Sequence, residues 1–480
     1  MERQAVPTSI ELIEPYGGEL KHLYVSGVEK AALTREASKL HSWDLTPQQL
    51  CQIELLLNGG LSPLEGFMCR TDYESVTERM RLTDGRLWPV PISLAVSQKF
   101  SDQVSQGQRV SLRDAEGVLI AILEVADIWS PSARIPSTSH EPEMPVLLGG
   151  PLFGIEAPVH YDFRSLRETP RQVRERLVQW GRPHVAAYQT AHLMHRSHVE
   201  WTRRVSAELD ASLLIQPVLS ITTDATQERA PRVRCHEHVM RHYPARTAVL
   251  NLLPMTAGKC PKRKRILQAI VARNFGSTHL FVDPEQAGEE GAGELLQGLQ
   301  EELAVEVFDG TRSKCRHPLT GGLEESEVVR RLSRGEAIPD EYTYPEVLDE
   351  LRHMYPPRSQ RGVVIFFTGL SGSGKSTLAN AVKSRLLESE RRTVTLLDGD
   401  HVRKHLSSEL GFSKEHRDLN VLRIGFVAAE IAKHGGIAIC APIAPYSDIR
   451  ARVRQMVDGV GGGFVEIHLA TSLDVCENRD

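Results

Sequence analysis

The sequence predicts a multidomain α/β protein in three parts, and three observations carry that prediction. A complete glycine loop, Gly369-Leu-Ser-Gly-Ser-Gly-Lys375-Ser376, stands between an apolar, β-prone run and a helical stretch. From about residue 166, short apolar runs alternate with helical ones, the rhythm of a doubly wound parallel sheet. Before that point, apolar runs are cut at close intervals by turn residues, as in a β-rich domain. The boundaries read as 1–165, 166–355 and 356–480, in keeping with a prior of ~150 residues per domain for a chain of 480 residues.

In the first part, Gly17-Gly18, Asn58-Gly59-Gly60 and Asp84-Gly85 mark turns. Val110–Gly117 and Val118–Val125 read as a hairpin. In the second, His184–Tyr188, Leu213–Ile215, Thr247–Leu253 and Thr278–Val282 are parallel-strand candidates, with Arg263–Phe275 as a helix between two of them. Helices follow at 326–335 and 344–354, and Tyr355-Pro-Pro-Arg-Ser-Gln-Arg-Gly362 is a proline-bearing linker. The third part opens with the strand Val363–Thr368, the glycine loop, and a helix over Thr377–Leu387 with Leu378, Val382 and Leu386 on one face. A strand at Thr393–Leu397, a helix at His401–Leu410 and a strand at Gly436–Cys440 continue it.

Composition excludes several function classes. Lys plus Arg (57) against Asp plus Glu (62) leaves a formal charge of −5, well mixed apart from the basic run Lys259-Cys-Pro-Lys-Arg-Lys-Arg265, so neither a nucleic acid nor a membrane is an expected partner. No apolar stretch is long enough to span a bilayer, and the N-terminus lacks a signal-peptide pattern. The seven cysteines are scattered and never form a CxxC pair, which predicts reduced thiols and a cytoplasmic location. Cys235-His236-Glu237-His238 is not expected to hold a metal, because adjacent ligands of this kind rarely close a site alone.

The chemistry concentrates in the glycine loop. Strand, loop and helix in that order let backbone N–H groups converge on a polyphosphate at a helix N-terminus, where unpaired donors and the dipole favour anions. Residues Gly369, Leu370, Ser371, Gly372, Ser373, Gly374, Lys375, Ser376 and Thr377 form the expected ATP site. Lys375 would reach the β- and γ-phosphates, and the Ser376 hydroxyl would ligate Mg²⁺ carried with the nucleotide. Asp398 and Asp400 close the next strand, where carboxylates can hold Mg²⁺ or accept a proton from an attacking hydroxyl. Asp400 also reads as the N-cap of the following helix, and the two roles are compatible.

These phrases together resemble adenylyl-sulfate (APS) kinase over about residues 356–480. The resemblance is carried by the loop, Leu397-Asp-Gly-Asp400 with Val402-Arg403, Leu410-Gly-Phe-Ser413, Arg417 with Asn420, Gly435–Ala441 and Ala444-Pro-Tyr446. It implies transfer of the ATP γ-phosphate to the 3′-hydroxyl of APS, giving PAPS. With Lys375, Asp398 and Asp400 as the expected catalytic residues, it makes Asp400 the base or metal-side carboxylate, puts Arg403, Arg417 and Asn420 on the APS phosphosulfate and ribose, and stacks Phe412 on its adenine. Ala444 stands where many members carry a serine, which favours direct in-line transfer. The family pattern runs on past Asp480 into a basic lid and a further helix. Two alternatives stay open there: a chain cut short, or binding with impaired turnover.

Residues 1–355 resemble ATP sulfurylase (sulfate adenylyltransferase) through Pro15-Tyr-Gly-Gly18, Leu55–Met68, Gly85–Ile92, His160-Tyr-Asp-Phe163, Gly335–Pro339 and Tyr344–Val347. The resemblance implies a β-rich, PUA-like first domain and a Rossmann-like nucleotidyltransferase domain, ahead of a P-loop kinase domain with a parallel sheet. It also implies a homo-oligomer. The active-site phrases depart from the family pattern. Gln-Thr-Arg-Asn is here Gln189-Thr190-Ala191-His192, Gly-Arg-Asp-His is Asp283-Pro284-Glu285-Gln286, and Met-Ala-Gly-Pro-Arg-Glu is Lys259–Lys264, keeping Arg263. His195 and His198 retain the His-x-x-His element. His192, His195 and His198 follow at intervals of three, so adjacent pairs would be neighbours on a helix. Each lost charge-assisted contact is worth ~1.5–3 kcal/mol, so several together predict a sulfurylase slowed by roughly a thousandfold or more. The leading expectation is an APS kinase with a degenerate sulfurylase domain. The alternatives are a fully bifunctional enzyme and a non-catalytic APS- or PAPS-binding regulatory module.

Overall fold

Turn-rich sequence at the N-terminal end builds seven strands: β1 (His41–Asp44), β2 (Gly66–Phe67), β3 (Leu94–Val96), β4 (Arg109–Arg113), β5 (Leu119–Glu124), β6 (Asp127–Trp129) and β7 (Val146–Gly154). The computed structural model describes residues 11–131, 146–218, 226–255, 261–282, 292–309, 323–389, 392–411 and 413–478. The expected hairpin is β4–β5, antiparallel, with Val110 opposite Leu123 and Leu112 opposite Ala121. Strand order is β1-β4-β5-β7-β2, with β3 and β6 also pairing β7. So many neighbours crowd β7 that Gly150, at φ +149°, has room for no side chain: a Cβ there would lie 2.0 Å from the Glu124 carbonyl oxygen.

The doubly wound expectation is met by β8 (His184–Thr190), β9 (Ala211–Pro217), β10 (Ala248–Leu250), β11 (His279–Val282) and β12 (Glu306–Asp309). All pair in parallel in the order β10-β9-β8-β11-β12. The chain winds outward from β8 in one direction and returns to build β11 and β12 in the other. Thr190, at the C-terminal end of β8, therefore lies at the switch point where such sheets bind ligands. Entry into the sheet is set by the helix Pro170–Trp180, which starts with a Thr169–Gln172 capping box and a proline and stops at left-handed Gly181.

The third sheet holds β13 (Val363–Thr368), β14 (Val394–Asp398), β15 (Ile437–Ala441) and β16 (Gly463–His468), parallel, in the order β14-β15-β13-β16. Both faces of β13 are covered, as its continuous apolar run requires. Val364 and Phe366 pack with Val421, Ile424, Ala428 and Val453 on one side. Phe367 packs with Ala379, Ile437 and Ile439 on the other. Burying each phenylalanine contributes about 1.5–3 kcal/mol. On the helix Lys375–Ser389 the buried face runs through Ala379, Val382 and Leu386, whereas Leu378 is 40% exposed. Val382 and Leu386 thus lie on the expected face, but Ala379 takes the place expected of Leu378.

By contact the chain divides into two units. The first comprises Met1–Leu323 with Pro339–Glu350, and the second Glu324–Ile338 with Leu351–Asp480. Within the first unit, Arg263 donates to the carbonyls of Val76 (3.2 Å), Thr77 (2.8 Å) and Pro89 (3.4 Å). The arginine retained from one of the departed active-site phrases thus ties the helix Pro261–Asn274 to the β-rich part. No helix among the described residues is long and apolar enough to cross a membrane.

Candidate active sites

The glycine loop turns out of β13 and into the helix Lys375–Ser389 through three residues with positive φ: Gly369 (+151°), Gly372 (+70°) and Gly374 (+94°). Only glycine takes such a path at low cost. Lys375 is buried, and its Nζ donates to the carbonyls of Gly369 (3.1 Å) and Leu370 (2.6 Å), bent back beneath the loop it serves. Ser376 and Thr377 lie exposed in the first helical turn, and Leu370 and Ser371 are exposed at the loop tip. Ser373 is buried, and its hydroxyl has no hydrogen-bond partner among the described residues.

Asp398 ends β14 opposite Ala441 of β15, and β15 lies beside β13. Its backbone is thus two strands from the root of the loop, about 10 Å at the usual strand spacing. The expected capping role of Asp400 is corrected: the helix runs Gly399–Leu406, so Asp400 lies inside its first turn, and its side chain lies outside the described ones. Helical geometry begins at Gly399, two residues before the His401 start that an Asp400 cap implies. Arg403 holds the carbonyls of Leu410 and Gly411, both at 3.4 Å. Arg417 is exposed in the first turn of Lys414–Lys433, whose N-cap Ser413 accepts from the His416 N–H. Asn420 is 7% exposed on the same helix, and its Oδ1 has no hydrogen-bond partner among the described residues. Phe412 lies outside the described residues.

In the first unit, Gln189 and Thr190 end β8 and are buried. Gln189 Nε2 donates to Gln216 Oε1 (2.9 Å), Gln216 Nε2 to Asn251 Oδ1 (3.3 Å), and Asn251 Nδ2 to the Glu168 carbonyl (3.0 Å). This amide ladder crosses three strand ends. Ala191 and His192 follow it, exposed. His195 precedes the helix Arg196–Glu208 as its N-cap, and its N–H donates to His198 Nδ1 (3.1 Å). His192 therefore stands before the helix, which corrects the expectation that it and His195 are neighbours on one: the Thr190 hydroxyl accepts the His192 N–H (3.0 Å) and holds a turn there. Asp283, Pro284, Glu285 and Gln286 lie outside the described residues.

Two partners of these sites carry no sequence signal. Tyr342 Oη lies 2.9 Å from His195 Nε2, with the rings 4.2 Å apart. Thr471 Oγ1 donates to the Ser373 carbonyl at 3.0 Å. Elsewhere, burial pushes the Cys235 thiol up to about 12 and His236 down to about 4. His236 Nδ1 faces the Arg232 carbonyl at 2.8 Å, within its own helix Thr226–Met240. Among the described residues, no group of three His, Cys, Asp or Glu could hold a metal.

Comparison with known proteins matches all three parts. The family described as adenylylsulphate kinase matches residues 361–480, ATP-sulfurylase residues 164–354, and a PUA-like domain residues 13–138. Curated relatives named sulfate adenylyltransferase include those of Mycosarcoma maydis and Aspergillus fumigatus, 36% and 38% identical. Each alignment covers 97% of this chain and 89% of the relative. A solved structure described as a hexameric APS kinase from Thiobacillus denitrificans is 42% identical, with a TM-score of 0.83 over 95% of this chain and 91% of that one.

Proposed function

The chain belongs to the family of fused ATP sulfurylases and APS kinases, and on that premise we propose that its working activity is that of the kinase: transfer of the γ-phosphate of ATP to the 3′-hydroxyl of APS, giving PAPS and ADP. The observation that carries the reading is the loop itself, with three left-handed glycines at the end of a central parallel strand and a buried lysine beneath them. Lys375 exchanges its two carbonyl contacts for phosphate oxygens when nucleotide enters, so its charge meets the γ-phosphate as negative charge develops. Arg403, whose guanidinium also reaches the Leu410 and Gly411 carbonyls, offers an anion a planar fork of donors. The buried, unpaired Asn420 oxygen suits a donor on the acceptor nucleotide. Asp400 is the proposed acceptor of the hydroxyl proton. Ser376 and Asp398 offer hard oxygen ligands that fit Mg²⁺, which when bound supplies charge neutralisation between the phosphates. Full-length protein with MgATP and APS is expected to form PAPS, and Lys375→Ala to abolish it. Absence of PAPS from the wild-type protein sinks the reading.

For the sulfurylase-like half we propose weak adenylyl transfer. Ala191 and His192, exposed at the switch point of the sheet, stand where the family phrase has an arginine and an asparagine facing sulfate and the α-phosphate. A second reading, full bifunctionality, is favoured by the naming of relatives aligned over nearly the whole chain as sulfate adenylyltransferases. Pyrophosphate-dependent ATP formation from APS separates the two: turnover comparable to that of a relative bearing the arginine overturns the first. The hexameric relative supports self-association of this chain, which light scattering on the purified protein would measure.

A further inference from the structure

The glycine loop is gripped from outside as well as from within. Beyond β16, the Leu469 N–H donates to the Thr368 carbonyl at 2.8 Å and continues the strand ladder one step past β13. The Cys476 carbonyl lies against Gly372, where a Cβ would sit 2.5 Å from it. Between these two points, Thr471 Oγ1 donates to the Ser373 carbonyl at 3.0 Å. Thr471 is held in turn, since its own carbonyl faces the Cys476 thiol at 3.8 Å, just before the short helix Leu473–Glu477. One stretch of chain thus meets the loop at Thr368, Gly372 and Ser373.

The contact to Ser373 has a consequence for the loop's donors. A trans peptide unit is planar, and its C=O and N–H point in opposite directions. Turning the Ser373 carbonyl toward Thr471 therefore turns the Gly374 N–H the other way, immediately before the helix that receives phosphate. The Ser373 hydroxyl does not perform this task, for it is buried without a partner among the described residues. We infer that Thr471 is a positioning residue for the ATP phosphates: its hydroxyl fixes the 373–374 peptide so that the Gly374 N–H is aimed before nucleotide arrives. The inference rests on the kinase reading above.

Thr471→Val removes the hydroxyl and keeps the shape, whereas Thr471→Ser keeps the hydroxyl. In the full chain, the valine variant is expected to raise the KM for ATP about five- to tenfold, the effect of one net hydrogen bond. The KM for APS is expected to stay within about twofold, and the serine variant to restore the ATP value. The Kd of a non-hydrolysable ATP analogue, measured by calorimetry, should rise by the same factor. Should the valine variant fail to fold, Thr471→Cys, a weaker donor of similar size, is compared with Thr471→Ser in the same way. An unchanged analogue Kd, an equal loss for both substrates, or a loss that serine does not rescue would each overturn the inference. The calorimetric arm needs no turnover, so absence of PAPS formation in the wild type would refute the kinase reading while the analogue Kd still decides the role of Thr471.

Discussion

Replacing Gly372 by alanine should destabilise the second unit far more than the same change at Gly374. The comparison separates two costs that usually arrive together. Both glycines have positive φ, +70° and +94°, so each alanine bears a left-handed penalty of about 1–2 kcal/mol. They differ in what a methyl group would meet. At Gly374 nothing lies within 4 Å, whereas at Gly372 the Cys476 carbonyl oxygen is 2.5 Å away and is backbone that no rotamer change can clear. Loop or helix must retreat by about 1 Å, and such overpacking costs roughly a further 1–3 kcal/mol. At roughly 4 °C per kcal/mol for a unit of this size, the expected falls in Tm are roughly 4–8 °C for Gly374→Ala and roughly 8–20 °C for Gly372→Ala. Scanning calorimetry on the full chain measures them. An internal control is available, because Trp43, Trp88, Trp129, Trp180 and Trp201 all lie in the first unit. The tryptophan-fluorescence transition should stay where it is in both variants. Equal shifts, or the larger shift at Gly374, would refute the collision with Cys476 as the deciding term.

Three further outcomes are expected. Burial holds His236 neutral, with its pKa near 4 in the folded chain against an ordinary 6.5, so the unfolded chain takes up the proton first. Its contribution is therefore intact above about pH 6.5 and is lost as pH falls toward 4, a span of roughly 3 kcal/mol. Tryptophan-monitored unfolding across that window should show it, and His236→Leu should flatten the slope; an identical slope in the variant rules the residue out. Arg263→Ala, which removes contacts to three backbone carbonyls, should lower the stability of the first unit by about 2 kcal/mol in urea titrations. PAPS formation should be unchanged, and a stability equal to wild type would contradict the assignment. Tyr342→Phe, losing the contact to His195, should cost about 1 kcal/mol by the same titration, and no change would show that this contact contributes nothing.

Much of the fold was legible because its signals are local. An apolar β-prone run, glycines and a following helical period need only neighbouring residues, and β13, the loop and the helix Lys375–Ser389 form where those residues stand. The β4–β5 hairpin and the strands of the second sheet follow in the same way, though β10 is shorter than the apolar run Thr247–Leu253 that announced it. Errors arose where one residue decides a helix start. Asp400 lies inside a helix that begins at Gly399, and His192 lies before one that begins at Arg196.

Strand order and long-range partners were decided by the tertiary structure alone. Periodicity indicates that β13, β14 and β15 are strands, but β16 was not read from the sequence, nor was the placing of β13 between β15 and β16. Nor does any local pattern show that Arg263 holds carbonyls 174 to 187 residues earlier, or that Tyr342 meets His195 across 147 residues and Thr471 meets Ser373 across 98. A threonine in a loop or an arginine on a helix has the same local appearance whether solvated or engaged. Its partner is set by how the sheets close, and closure depends on burying every apolar face at once. The sequence by itself thus determined a strand, a glycine loop at Gly369–Ser376 and a helix after it, the local form that phosphate binding requires. The packed chain decided which distant groups hold that loop in shape.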